Sequence, residues 1–102
     1  MDILSRIKRL VLAGQFEFSE KARVEMFADG LLELDIVEAI ANAKYIDKTL
    51  RSLSPARRRS REHLYVIISS NLQGLALYTK GKIVAERGVE TYYFLISAKN
   101  AD

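Results

Sequence analysis

Hydrophobic and polar positions recur with two different periods along this chain, and the change of period divides it. From Asp2 to Ala13, Ile3, Ile7, Leu10 and Val11 fall on one stripe with Arg6, Lys8 and Arg9 elsewhere, the spacing of an amphipathic helix. Gly14 stands where a left-handed, helix-ending residue belongs. Gln15-Phe16-Glu17-Phe18 alternates polar and aromatic residues and predicts a short strand at a sheet edge. Ser19 is placed as an N-cap, with Glu20 against the positive helix end. The helix it opens is predicted to reach Ala28-Asp29 and stop at Gly30, burying Ala22 and Met26. A third helix puts Leu32, Ile36, Val37 and Ile40 inward and Glu33, Asp35 and Glu38 in its first turns. The helix acids are expected to form a solvated face; contact with a protein partner is the other use open to it.

Beyond Ala43 the pattern becomes extended. Tyr45 to Leu50 reads either as the first strand of the main sheet or as a connector, and Pro55, the only proline, marks a break. Leu64–Ile68, Leu75–Lys80 and Tyr92–Lys99 then show β-branched and aromatic residues with period two, with turns at Asn71-Leu72-Gln73-Gly74 and Arg87-Gly88-Val89-Glu90. The middle run places Leu75, Leu77 and Thr79 on one face and Ala76, Tyr78 and Lys80 on the other. In the last run Tyr92, Phe94, Ile96 and Ala98 share a face, as do Tyr93, Leu95, Ser97 and Lys99. The expectation is a single α+β domain over 1–102, with N-terminal helices packed on one face of a C-terminal antiparallel sheet.

A length of 102 residues suits one core, and 49% hydrophobic with 28% charged residues is ordinary for a globular domain. The absence of cysteine excludes a disulfide scaffold, thiol catalysis and Cys-ligated zinc. No long apolar run or signal-peptide pattern is present, so no membrane association is expected and the chain reads as cytoplasmic. Charge changes the picture more. Residues 1–47 carry six Lys/Arg against nine Asp/Glu, and residues 48–102 carry ten against four. Positive charge therefore sits on the sheet half, which favours a polyanionic partner.

Arg57, Arg58, Arg59 and Arg61 read either as an exposed loop or as a phosphate clamp, since guanidinium groups grip phosphate oxygens in bidentate fashion. Lys80 and Lys82 extend that RNA-binding set onto the sheet. His63, the only histidine, precedes a strand; it suits proton transfer near neutral pH, although a lone histidine at a strand entrance is more often a structural or surface residue. An RNA phosphodiester is cut without metal when one group takes the 2′-hydroxyl proton, another protonates the 5′-oxygen and cations stabilise the phosphorane. Tyr65, Tyr78, Tyr93, Lys80, Lys99, Arg61, Glu62 and His63 are the candidates for those roles. Carboxylates in this half are few (Glu62, Glu86, Glu90 and Asp102), so neither a metal nor a cofactor is expected. Gly81 and Gly88 fit turns, not a phosphate-binding loop, and no G-x-S-x-G elbow is present.

Ile7-Lys8-Arg9-Leu10-Val11-Leu12-Ala13-Gly14-Gln15, Ser19-Glu20-Lys21-Ala22, the Gly30-Leu31 break, Leu77-Tyr78-Thr79-Lys80 and Leu95-Ile96-Ser97-Ala98-Lys99 together resemble the MqsR-type toxins of bacterial toxin–antitoxin pairs. The order and approximate spacing persist along almost the entire chain. Phe18 to Ile40 also resembles a wider group of small domains opening on S-x-H-A, with Lys21 where the histidine usually stands. The MqsR resemblance implies a RelE-like fold and a metal-independent mRNA endoribonuclease, an mRNA interferase that inhibits translation and growth, acting on mRNA with or without the ribosome. It implies an antitoxin partner, in the MqsR case one with a zinc finger. Lys48, Tyr78 and Lys99 match positions of family functional residues, and a further polar position falls near Arg61. The arginine run and a longer hairpin between Lys80 and Tyr92 depart from the family pattern. With Lys48, Lys80 and Lys99 neutralising the phosphate, Tyr78 together with His63 or Glu62 would move protons. Two other readings use the same residues: a non-catalytic RNA-binding module, and a toxin acting on a protein target, as in ParE-like relatives.

Overall fold

The computed structural model describes residues 1–51 and 62–102. The arginine run Arg57, Arg58, Arg59 and Arg61 lies outside the described residues. Helix α1 spans Ile3–Leu12, opened by Asp2, whose Oδ1 accepts the Ser5 N–H at 2.8 Å, and closed at Gly14 with φ +77°. Strand β1, Phe16–Phe18, leads into α2, Glu20–Ala28, which Ser19 caps by accepting the Ala22 N–H at 3.0 Å. Helix α3, Glu33–Asn42, follows the break at Gly30. Then come β2 (Lys48–Arg51), β3 (His63–Ser70), β4 (Ala76–Glu86) and β5 (Val89–Asn100). Tyr45 to Leu50 thus contains both a connector and the first strand of the main sheet.

The sheet order is β1-β5-β4-β3-β2. Strands β2 to β5 pair antiparallel, but β1 lies parallel to β5, so the sheet is mixed where an antiparallel one was expected. No hairpin joins β1 to β5: the whole intervening chain does, and a connection of that length permits the parallel direction. All three helices cover one face. Ile7, Ile36 and Ile40 are fully buried there against Ile67, Leu77, Tyr93 and Leu95. Leu32, expected inward, begins α3 as its cap and is 70% exposed, because a cap residue lies outside the helix's own packing stripe.

A bulge reverses the phase of β5. Lys80 pairs with Ser97 but Gly81 with Leu95, which leaves Ile96 without its own partner. Ser97 and Ala98 are consecutive and both buried, and Lys99 turns to the open face opposite Tyr78. Strict alternation had put Lys99 with Tyr93 and Leu95; the extra residue is why it sits elsewhere. Gly81 does not make a turn either. It lies inside β4 against the Tyr93 ring, while the β4–β5 turn is the residue pair Arg87 and Gly88, with φ +52° and +79°. Positive φ at both positions is what a tight type I′ hairpin requires.

Several helix acids expected in a solvated face hold the sheet instead. Beyond Phe18 the outer edge of β5 has no strand partner. There Glu25 Oε1 accepts the Ala98 N–H at 3.1 Å and Asp29 Oδ2 accepts the Asn100 N–H at 2.8 Å. Carboxylates one helical turn apart thus replace a missing strand and close the edge. On α3, Asp35 accepts from the Asn71 side chain at 3.1 Å and Glu38 from the Leu72 N–H at 3.0 Å. These clamp the β3–β4 turn.

Candidate nucleic-acid interface

The face of the sheet turned away from the helices is built from even-numbered positions of β2, β3 and β4. Lys48 and Lys80 flank Val66 in one cross-strand row, which places their backbones about 10 Å apart across two strand spacings. The next row is Ile68, Tyr78 and Lys99. The Lys99 ammonium stands 5.4 Å from the centre of the Tyr78 ring, a cation–π contact, and 3.9 Å from Glu25. Lys82 occupies a third row, 5.9 Å over Phe94. Four of the expected phosphate-binding or catalytic lysines and Tyr78 therefore share one face.

Asp47, Lys48, Leu50, Val66, Ile68 and Tyr78 enclose a hollow of about 280 Å³. Asp47, which sequence reasoning did not single out, is fixed there because its Oδ2 accepts the Ile68 N–H at 2.7 Å. Only the pairing of β2 with β3 brings it beside Tyr78; in sequence they are far apart. Glu25 is pushed up by burial, yet the Ser97 hydroxyl, the Ala98 N–H, Lys21 and Lys99 outweigh that and hold its carboxyl below the usual value. It is a fixed negative charge behind Lys99.

Glu62 and His63 are not brought to Tyr78. His63 stands five residues from Ile68 along β3, roughly 17 Å, and its odd position turns it to the opposite face. It stacks on Tyr65 with ring centres 6.4 Å apart and borders a separate cavity of about 400 Å³ with Glu62, Arg6, Lys82 and Glu90. Charges there are matched internally: Arg6 donates from Nε and Nη2 to Glu90, and Lys82 stands 3.2 Å from Glu62. The Arg6 hydrogen bonds hold the Glu90 carboxyl below its usual range. Burial pushes the Tyr65 hydroxyl up, with Glu90 adding to it against Arg6, and burial also raises Tyr93.

Among the described residues, no group of three or more His, Asp and Glu side chains gathers as a metal site. Nor is any described helix long and apolar enough to cross a membrane. Fold and surface define an α+β domain with helices on one sheet face and a lysine-rich face opposite. No family model matches the chain, and neither a curated protein nor a solved structure is found to match it.

Proposed function

We propose that this domain binds single-stranded RNA on its open sheet face and cleaves it without a metal cofactor, as an mRNA interferase of a bacterial toxin–antitoxin pair. The observation that carries the reading is the gathering of Lys48, Lys80 and Lys99 around Tyr78, with Asp47 beside them. Ammonium groups along the face offer phosphates a track, and the half-buried tyrosine ring offers a base a partial stacking surface at the hollow.

In the proposed reaction the RNA 2′-oxygen attacks the adjacent phosphorus and gives its proton to the Asp47 carboxylate. Lys80 and Lys99 neutralise the charge that develops on the phosphorane oxygens. The P–O5′ bond breaks as the Tyr78 hydroxyl protonates the leaving 5′-oxygen, giving a 2′,3′-cyclic phosphate and a 5′-hydroxyl. Asp47 then returns its proton to Tyr78 through solvent. Kinship with the MqsR-type toxins, a RelE-like fold, an antitoxin partner and action in the cytoplasm belong to the same proposal and are supported by the motifs quoted above.

A non-catalytic RNA-binding role is the second reading, favoured by the placement of His63 and Glu62 away from Tyr78. The test is a defined mRNA incubated with the purified chain in excess EDTA, with and without ribosomes, beside Lys99→Ala and Tyr78→Phe. Cleavage with cyclic-phosphate ends, reduced at least about 100-fold in both variants, is the expected result. RNA that is bound but intact under every condition would assign the face to binding alone. RNA neither bound nor cut would overturn both readings, leaving growth arrest with intact mRNA as the mark of a protein target.

A further inference from the structure

On the far side of the molecule from the lysines, large apolar side chains lie bare at the junction of α2 and α3. Phe27 is 89% exposed, Leu72 74%, Leu32 70%, Val24 63% and Leu34 61%. They are contiguous. Val24 and Phe27 are three apart on α2, hence on one side of it. Phe27 and Leu32 border one hollow of about 240 Å³, and Leu32, Leu34 and Leu72 border the next, of about 500 Å³. Scattered exposed leucines are ordinary, but a joined patch with hollows on both sides of a central residue is the form of a docking surface.

The charge around the patch specifies its occupant. Glu33 is paired with Arg23 at 3.2 Å. Asp35 and Glu38 border the larger hollow, and among the described residues their hydrogen bonds go to uncharged groups, with no cation paired to either carboxylate. An anionic lipid surface would be repelled here. No strand edge is offered at this site, because Glu38 and Asn71 tie up the β3–β4 turn and α2 closes the outer edge of β5. A helix laid across the patch meets both requirements, placing apolar side chains one turn apart into the two hollows and Lys or Arg beside Asp35 and Glu38.

We propose that this patch docks a basic amphipathic helix of a partner protein. The inference does not rest on RNA binding or cleavage. The probe is a synthetic amphipathic peptide of about 18 residues, five helical turns, with a leucine stripe flanked by lysine and arginine. A second peptide carries glutamate at every basic position. Each is titrated into the isotopically labelled full chain by NMR and calorimetry. The basic peptide is expected to shift the Val24, Phe27, Leu34 and Leu72 amides and to bind at least about tenfold more tightly than the acidic one. Phe27→Ser and Leu34→Ser, both at exposed positions that leave the core intact, are expected to abolish those shifts while retaining the wild-type urea midpoint. Equal binding of the two peptides, shifts mapping to the open sheet face, or no binding of the basic peptide would overturn the proposal. A concentration-dependent dimer abolished by Phe27→Ser would also overturn it, assigning the patch to a second copy of the chain.

Discussion

Gly81 lies against the ring of Tyr93: a Cβ added at Gly81 would stand 2.6 Å from Tyr93 Cζ and 2.8 Å from its hydroxyl. Tyr93 is fully buried, and its hydroxyl has no hydrogen-bond partner among the described residues. One strand gives up a side chain so that its neighbour can bury a large one. Gly81→Ala is expected to destabilise the fold by about 2–3 kcal/mol through overpacking. Tyr93→Phe removes an unsatisfied hydroxyl and is expected to stabilise it by about 1 kcal/mol. Urea unfolding of both variants checks the pair, and a neutral Gly81→Ala would mean that the ring moves aside freely.

Asn71 organises the β3–β4 turn from a buried position. Its side chain donates to Asp35 and accepts from the Gln73 and Leu75 N–H groups at 3.0 and 2.9 Å. Asn71→Ala leaves those donors without their acceptor and is expected to cost about 2–3 kcal/mol, read as a lower urea midpoint at constant slope. Asn71→Asp retains the acceptor but sets a second carboxylate against Asp35. Its loss should shrink at high salt, which screens the two like charges.

Glu25 and Glu90 both have folded pKa values below the ordinary carboxylate value of 4.5. Such groups bind fewer protons in the folded than in the unfolded chain. Their stabilisation is therefore complete above the unfolded value and lost as pH falls below 4.5 through the lowered folded value. The urea midpoint should drop steeply in that acid range. In the Glu25→Gln, Glu90→Gln double variant the drop should be shallower, starting from a lower neutral-pH midpoint. An unchanged acid slope would show that other carboxylates dominate.

Arg87 holds a positive φ of 52° without being glycine. Arg87→Asn supplies the residue that type I′ turns favour before Gly88, and among the described residues the Arg87 guanidinium makes no hydrogen bond or ion pair. Stabilisation of about 0.5 kcal/mol is expected, seen as a small rise in the thermal midpoint with the same unfolding cooperativity.

Helices α1 to α3 and the existence of β3, β4 and β5 were legible in the sequence because hydrophobic period, Ser19, Gly14 and Gly30 are local signals. A side chain's spacing along its own element decides them. The presence of Lys48, Tyr78, Lys80, Lys82 and Lys99 in a basic half was legible too, as was Tyr78 beside Lys80 on one face. The bulge at Ile96 was not, since it arises from the pairing of β5 with β4 and carries no residue signature of its own. It alone moves Lys99 onto the Tyr78 face. Likewise Asp47 reaches the Tyr78 hollow, and His63 is carried away from it, only through strand register. The carboxylates of Glu25, Asp29, Asp35 and Glu38 look solvated in sequence because acids on a helix usually are; which of them meets an unpaired N–H depends on where the sheet stops. Composition and period determined the elements and the charge of this protein. Register, bulge and sheet edge decided which of its residues stand together, because those depend on contacts between segments that no local window contains.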